Sequence, residues 1–258
     1  MGGNFVYMHK IIVEGWHMNE YEIKVYEEIE EWKRKLTRRS GMMNRISKKA
    51  QGKINELIPD KVHEVMTESI KAMVKATLFG SQMTTNKDQA LGLNLAERDE
   101  LAIKKIAAFQ KTAMIEGAGT GAGGILLGLA DFPLLLSIKM KFLFEAASIY
   151  GFNTKEYAER LFILHVFQLA FSSEDIRKNT LAEIENWEKR KETLVEMDWR
   201  KFQQEYRDYI DLAKMLQLVP GIGAFVGAYA NNNLLKHLGE TAMNAYRLRL
   251  LQKSPDPI

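Results

Sequence analysis

The sequence contains no cysteine. Disulfides and thiolate metal sites are therefore excluded, and a reducing compartment is implied. Histidine is scarce as well. His9, His17, His63, His165 and His237 never fall four residues apart, the spacing that puts two ligands on one helical face. A zinc site is thus not expected, and no cofactor is implied. The opening residues have no apolar run beyond Ile11-Ile12-Val13, which Glu14 ends, so no signal peptide is read. Val6 breaks the pattern for myristoylation. Together these absences predict a cytoplasmic protein. Strand signals are missing too: there is no long alternating run and no Asn-Gly or Asp-Gly hairpin turn.

What the sequence does have is helical periodicity. Tyr21, Val25, Ile29, Trp32 and Leu36 form one stripe, and Met43, Ile46, Ala50, Ile54 and Leu57 another. Pro59-Asp60 stops that helix and starts the next, whose face runs from Val62 to Thr77. A polar loop over 80–94 precedes a helix from about Ala96 to Ile115. Thr154 is expected to cap a helix ending at Phe171, and a charged helix to run on to about Met197, with another from Trp199 to Leu218. The last helix ends near Gln252. The 258 residues are predicted to form an all-α protein with a single multi-helix domain over 19–252, an N-terminal extension over 1–18 and a tail over 253–258.

Two uncharged, glycine-rich stretches stand out. Residues 117–138 hold six glycines and one charge, Asp131. Asp131-Phe132-Pro133 reads as an N-cap with proline in the first turn, so the stretch is two helices, the second closing at Gly151-Phe152-Asn153. Pro220-Gly221 interrupts the other stretch, 215–235. Each glycine costs a helix about 1 kcal/mol relative to alanine, so close packing must offset it. Gly117/Gly121, Gly124/Gly128 and Gly223/Gly227 have the small-xxx-small spacing that lets backbones approach. Gly124, Gly128, Leu135 and Leu136 map onto Gly223, Gly227, Leu234 and Leu235 at a constant offset of 99. Two helical hairpins packed through glycine faces are expected. A membrane span is not: nine large apolar residues over 125–138 favour insertion by roughly 4 kcal/mol, which Asp131 and the glycines largely cancel. Gly119-Thr-Gly-Ala-Gly-Gly124 matches a dinucleotide fingerprint in letters only, because helix rather than strand is predicted before it.

Charge is unevenly spread. Between Trp32 and Asn55 lie nine basic residues and no acid: Lys33, Arg34, Lys35, Arg38, Arg39, Arg45, Lys48, Lys49 and Lys53. The net charge is +3, so the rest of the chain is acidic. Each such cation near an anionic membrane contributes about 1 kcal/mol, so a membrane surface is the expected partner. No aromatics interleave the cations, and specific nucleic-acid reading is not expected.

No catalytic constellation is evident. The nucleophile elbow G-x-S-x-G is absent. His165 sits in an apolar helix, Asp131 is explained as a cap, and Asn231 belongs to Asn231-Asn232-Asn233. Asp131, His165 and Asn231 are the candidates for a pocket between the hairpins, should one exist.

The run from Glu116 to Leu136, Tyr150-Gly-Phe152, the segment from Leu218 to Asn231 and the opening Glu27–Trp32 together resemble the EcsC family over about residues 20–250. The resemblance implies a bacterial protein linked to an ABC transporter and secretion, with no catalytic residue to carry over. The leading expectation is a non-enzymatic accessory or regulatory protein at the inner face of the membrane. The alternatives are a hydrolase-type enzyme with a pocket near the hairpins, and a helical module that binds lipid or another hydrophobe.

Overall fold

A computed structural model describes residues 18–37, 60–79, 87–120, 132–195, 206 and 227–252. Among the described residues there are eight α-helices, one short 3-10 turn and no β-strand. They are α1 (Glu20–Thr37), α2 (Asp60–Phe79), the 3-10 turn (Lys87–Ala90), α3 (Leu95–Thr120), α4 (Phe132–Ile149), α5 (Tyr157–Phe171), α6 (Glu174–Glu185), α7 (Trp187–Val195) and α8 (Gly227–Gln252). The all-α expectation holds.

Local chemistry sets the helix ends. Asn19 and Glu22 cap α1 reciprocally, each side chain accepting the other's backbone N–H at 3.0 and 2.9 Å. Asn94 and Glu97 repeat the arrangement at α3, at 3.1 and 2.8 Å. Two orphan donors are satisfied at each start. α4 ends as expected at Gly151, whose φ of +86° is open to glycine alone at little strain. Phe152 N–H donates to Ala147 and Gly151 N–H to Ser148, a Schellman closure. A Cβ on Gly151 would also stand 3.0 Å from Arg98 Nη1, which donates to the Tyr150 carbonyl at 2.7 Å.

Two boundaries differ from expectation. α5 starts at Tyr157 with Glu156 as its N-cap residue, not at Thr154. Asn153 takes the intervening residues into a turn, its side chain accepting from Lys155 N–H at 3.2 Å and its carbonyl from Glu156 N–H at 3.0 Å. The charged helix expected up to Met197 is two helices broken at Asn186, whose Nδ2 donates to the Ala182 carbonyl at 2.9 Å. The break turns Trp187 inward, edge-on to Phe162 at 5.0 Å. The helix expected over 199–218 lies outside the described residues, Tyr206 apart; that residue is buried and donates to the Leu164 carbonyl at 2.9 Å.

α5 is buried along almost its whole length, and α4 from Met140 onward, Lys141 apart. A helix apolar on all sides belongs inside. α8 is the hub: it packs most extensively on α3 and also against α1, α4, α5 and α6. At Gly239 the α3–α8 contact leaves no room for a side chain: a Cβ would fall 2.6 Å from Ile106 Cδ1 and 2.7 Å from Cγ1. Of the glycines expected to mediate packing, Gly117 lies in α3 and Gly227 opens α8. Gly121, Gly124, Gly128 and Gly223 lie outside the described residues. Leu135 and Leu136 on α4 and Leu235 on α8, three of the offset-matched leucines, are buried, and α4 packs on α8.

Candidate functional site

The most elaborate polar construction lies on the C-terminal half of α8, in Arg247-Leu248-Arg249. Two residues apart on a helix, the arginines point to different neighbours. Arg247 Nη2 is 2.9 Å from Asp99 on α3, and its Nη1 is 3.2 Å from Glu28 on α1. Asp99 also accepts from the hydroxyls of Tyr21 at 2.7 Å and Tyr150 at 2.5 Å. Arg249 Nη1 is 2.8 Å from Glu159 on α5, and its Nη2 is 2.8 Å from Glu188 on α7. Tyr246 OH donates to Glu159 at 2.8 Å. Phe152 and Phe162 stack about the Arg249 guanidinium, 3.9 and 4.2 Å from its carbon to their ring centres.

The electrostatics follow from burial and pairing. Burial, reinforced by Asp99, pushes the Tyr21 phenol up to about 12. Burial works to lower both arginines, but Asp99 beside Arg247 and Glu159 beside Arg249 overcome it and hold both charged. Burial raises the Glu159 carboxyl against the pull of Arg249. Arg249 is enclosed by carboxylates and rings, and Arg247 by the Asp99 and Glu28 carboxylates and the Asn244 amide oxygen, so these are clamps that join helices and not sites open to a substrate. Sequence reasoning passed over them. The available signal was a pair of arginines inside an otherwise apolar helical run. Lys139, fully buried on α4, was also passed over; burial draws its amine down to about 7.

Of the three residues proposed for a pocket, the structure places the side chain of His165 only. Asp131 and the Asn231 side chain lie outside the described residues. His165 is a core residue, 5% exposed. Its Nδ1 is 2.9 Å from the Leu161 carbonyl and its ring meets Trp187 edge-on at 5.2 Å. Burial lowers it to about 4, so it is neutral at pH 7, but it has no open side from which to serve as a base.

A pocket does exist elsewhere. Between α2 and α4 lies an open cleft of about 370 Å³, walled by Ala72, Met73 and Ala76 on one helix and Pro133, Leu136 and Met140 on the other. Its two serine hydroxyls are turned back on their own helices. Ser69 donates to the Val65 carbonyl at 2.7 Å and Ser137 to that of Pro133 at 2.9 Å. The small alanines leave the space, and the flexible methionines can adapt to an occupant.

The first three cations of the basic segment close α1. Arg34 and Lys35 are exposed. Lys33 is half-buried, its ammonium 2.7 Å from Glu30 and 2.6 Å from Glu185 on α6, and Lys35 is 2.7 Å from Glu31. Arg38, Arg39, Arg45, Lys48, Lys49 and Lys53 lie outside the described residues. Among the described residues, no cluster of three or more histidine or acidic side chains could hold a metal ion, and no helix is long and apolar enough to cross a membrane. The Gly119–Gly124 motif is entered from α3, a helix, whereas a dinucleotide fingerprint needs a strand there.

Against known proteins, residues 23–251 match the profile of the EcsC protein family. The chain is 56% identical over 224 residues to Protein EcsC of Bacillus subtilis (strain 168), covering 87% of this chain and 94% of that one. It is 33% identical over 141 residues to the uncharacterized protein YdbA of the same organism, covering 53% of this chain and 52% of that one. No solved structure matches.

Proposed function

From the premise that this chain belongs to the EcsC protein family, we propose that it is a non-enzymatic accessory protein of an ABC transporter, held at the cytoplasmic face of the membrane by its basic segment. The observation that carries this reading is charge asymmetry. Nine cations and no acid follow Trp32 in an otherwise acidic chain. The transporter rests on the family resemblance; the lipid contact rests on electrostatics, at about 1 kcal/mol per cation near an anionic surface.

Vesicle co-sedimentation tests the contact. The protein is expected to bind phosphatidylserine vesicles, to ignore phosphatidylcholine vesicles, and to release as salt rises. Changing Arg34, Lys35, Arg38 and Arg39 to glutamine is expected to weaken binding about tenfold or more. Equal binding to both vesicle types, or an unchanged variant, overturns the reading.

The α2–α4 pocket favours a second reading, a module that takes an apolar chain. Pockets of about 300–1,000 Å³ with mainly apolar walls suit small ligands, and the hydroxyls of Ser69 and Ser137 are satisfied by their own helices, while Glu68 lines the wall with its carboxylate held by Lys71. Displacement of a fluorescent fatty acid would follow it. Ala76→Leu, which fills the cleft, is expected to abolish the signal, and an unaffected signal sinks the reading.

A further inference from the structure

We infer that Glu30, Glu31 and Glu185 form an acidic collar at the root of the basic segment, which keeps the protein's affinity for anionic lipid below what its cations alone would give. The inference rests on the membrane reading above and adds a regulatory element to it.

Counted along the sequence, the basic segment is free of acids; in space it is not. Lys33 has two carboxylates around one ammonium, from Glu30 of its own helix and Glu185 at the end of α6. The three side chains are 22%, 27% and 30% exposed, so the cluster is partly shielded from water. Burial lowers Lys33, and the two carboxylates overcome that and hold it protonated. The cluster therefore carries one net negative charge where the sequence shows a positive one. Lys35 and Glu31 cancel in turn at 2.7 Å.

The Debye length at physiological ionic strength is about 8 Å. A membrane approaching the end of α1 meets each of these groups as a single source, because its members lie within that length. Three acids thus offset the three described cations. The net positive charge of the segment then resides in the six cations that follow α1 in the sequence, Arg38 to Lys53, and the collar opposes it. A protein built this way binds an anionic surface of any given charge more weakly than its cation count implies.

The test titrates the phosphatidylserine fraction in phosphatidylcholine vesicles against the whole protein and its neutralised variants. Glu185→Gln is expected to bind about fivefold more tightly at a given lipid composition, and Glu30→Gln/Glu185→Gln about fivefold more again. Both gains should vanish in high salt. Glu100→Gln is the control. Glu100 adjoins Asp99, which meets Tyr21 at the far end of α1, about 18 Å along the helix from Lys33. It should bind as the wild type does. Glu30→Gln alone, which leaves the α1–α6 contact in place, keeps the test valid if Glu185→Gln lowers the unfolding midpoint. Binding by the wild type that neither collar variant exceeds overturns the collar alone. Silence of the wild type and every variant at all compositions overturns the membrane reading and the collar with it.

Discussion

The arginines of α8 and the lysines at the end of α1 hold carboxylates at nearly the same distance and in different surroundings. Arg249 and Glu159 are 2.8 Å apart with both side chains 5% exposed, whereas Lys35 and Glu31 are 2.7 Å apart with 74% and 54% exposed. Water screens the second pair and is excluded from the first. A separation in ångströms therefore says little about energy until burial is known. Inside, removing one partner leaves a desolvated charge. Outside, the pair is worth little to stability, and its importance lies in the field it presents to other molecules.

The sharpest way to break this contrast is Arg249→Ala. It leaves Glu159 buried without its guanidinium and removes the cation from between Phe152 and Phe162. We expect a loss of about 3–5 kcal/mol in urea unfolding. A loss below about 1 kcal/mol would show that water reaches the site and that the two regions are alike.

His165 makes an intermediate case, a titratable ring enclosed in the core. Its folded value of about 4 lies below the ordinary imidazole value of 6.5. The unfolded chain therefore takes up the proton first as pH falls. The stability this residue contributes is complete above about pH 6.5 and is lost as pH falls toward 4, by up to about 3 kcal/mol. Wild type and His165→Gln unfolded in parallel across that window should diverge in slope; parallel curves would mean that the ring is hydrated.

The smallest effects belong to α1. Lys33→Gln is expected to cost at most about 1 kcal/mol, and Lys35→Gln to leave the unfolding midpoint unchanged. A larger loss for Lys33 would mean that its link to Glu185 fastens α1 to α6, as Arg247 fastens α1 to α8 through Glu28.

Signals local in sequence were the ones that could be read. The all-helical class, the start at Asp60, the closure at Gly151 and the end at Gln252 each depend on a residue type acting on its own backbone, and each stands where expected. The starts at Asn19 and Asn94 were equally local; their Asn-x-x-Glu boxes went unread, although the helix that Asn94 opens was expected within a residue of its place. Thr154 and Asn186 show the limit. A neighbouring asparagine captured the turn in one case, and Trp187's place in the core broke a charged helix in the other. The candidate sites were less legible, because their decisive partners come from other helices. Nothing near Lys33 in the sequence announces Glu185, and nothing near Arg249 announces Glu159. Gly239 shows the same limit: it had no small-residue partner at the expected spacing, yet it is packed against Ile106 of α3 too tightly for a Cβ.

The position of α8 in chain order has a consequence for biogenesis. Its clamps reach back 219 residues to Glu28, 148 to Asp99 and 90 to Glu159. At a translation rate of about 5–20 residues per second, α1 emerges some 10–40 s before the helix that completes its packing. In the later half of that interval, once α4 and α5 have been made, the flanks they will pack on α8 are without it. A nascent chain of this design depends on whatever shelters it at the ribosome, and it becomes self-sufficient only when its hub is delivered.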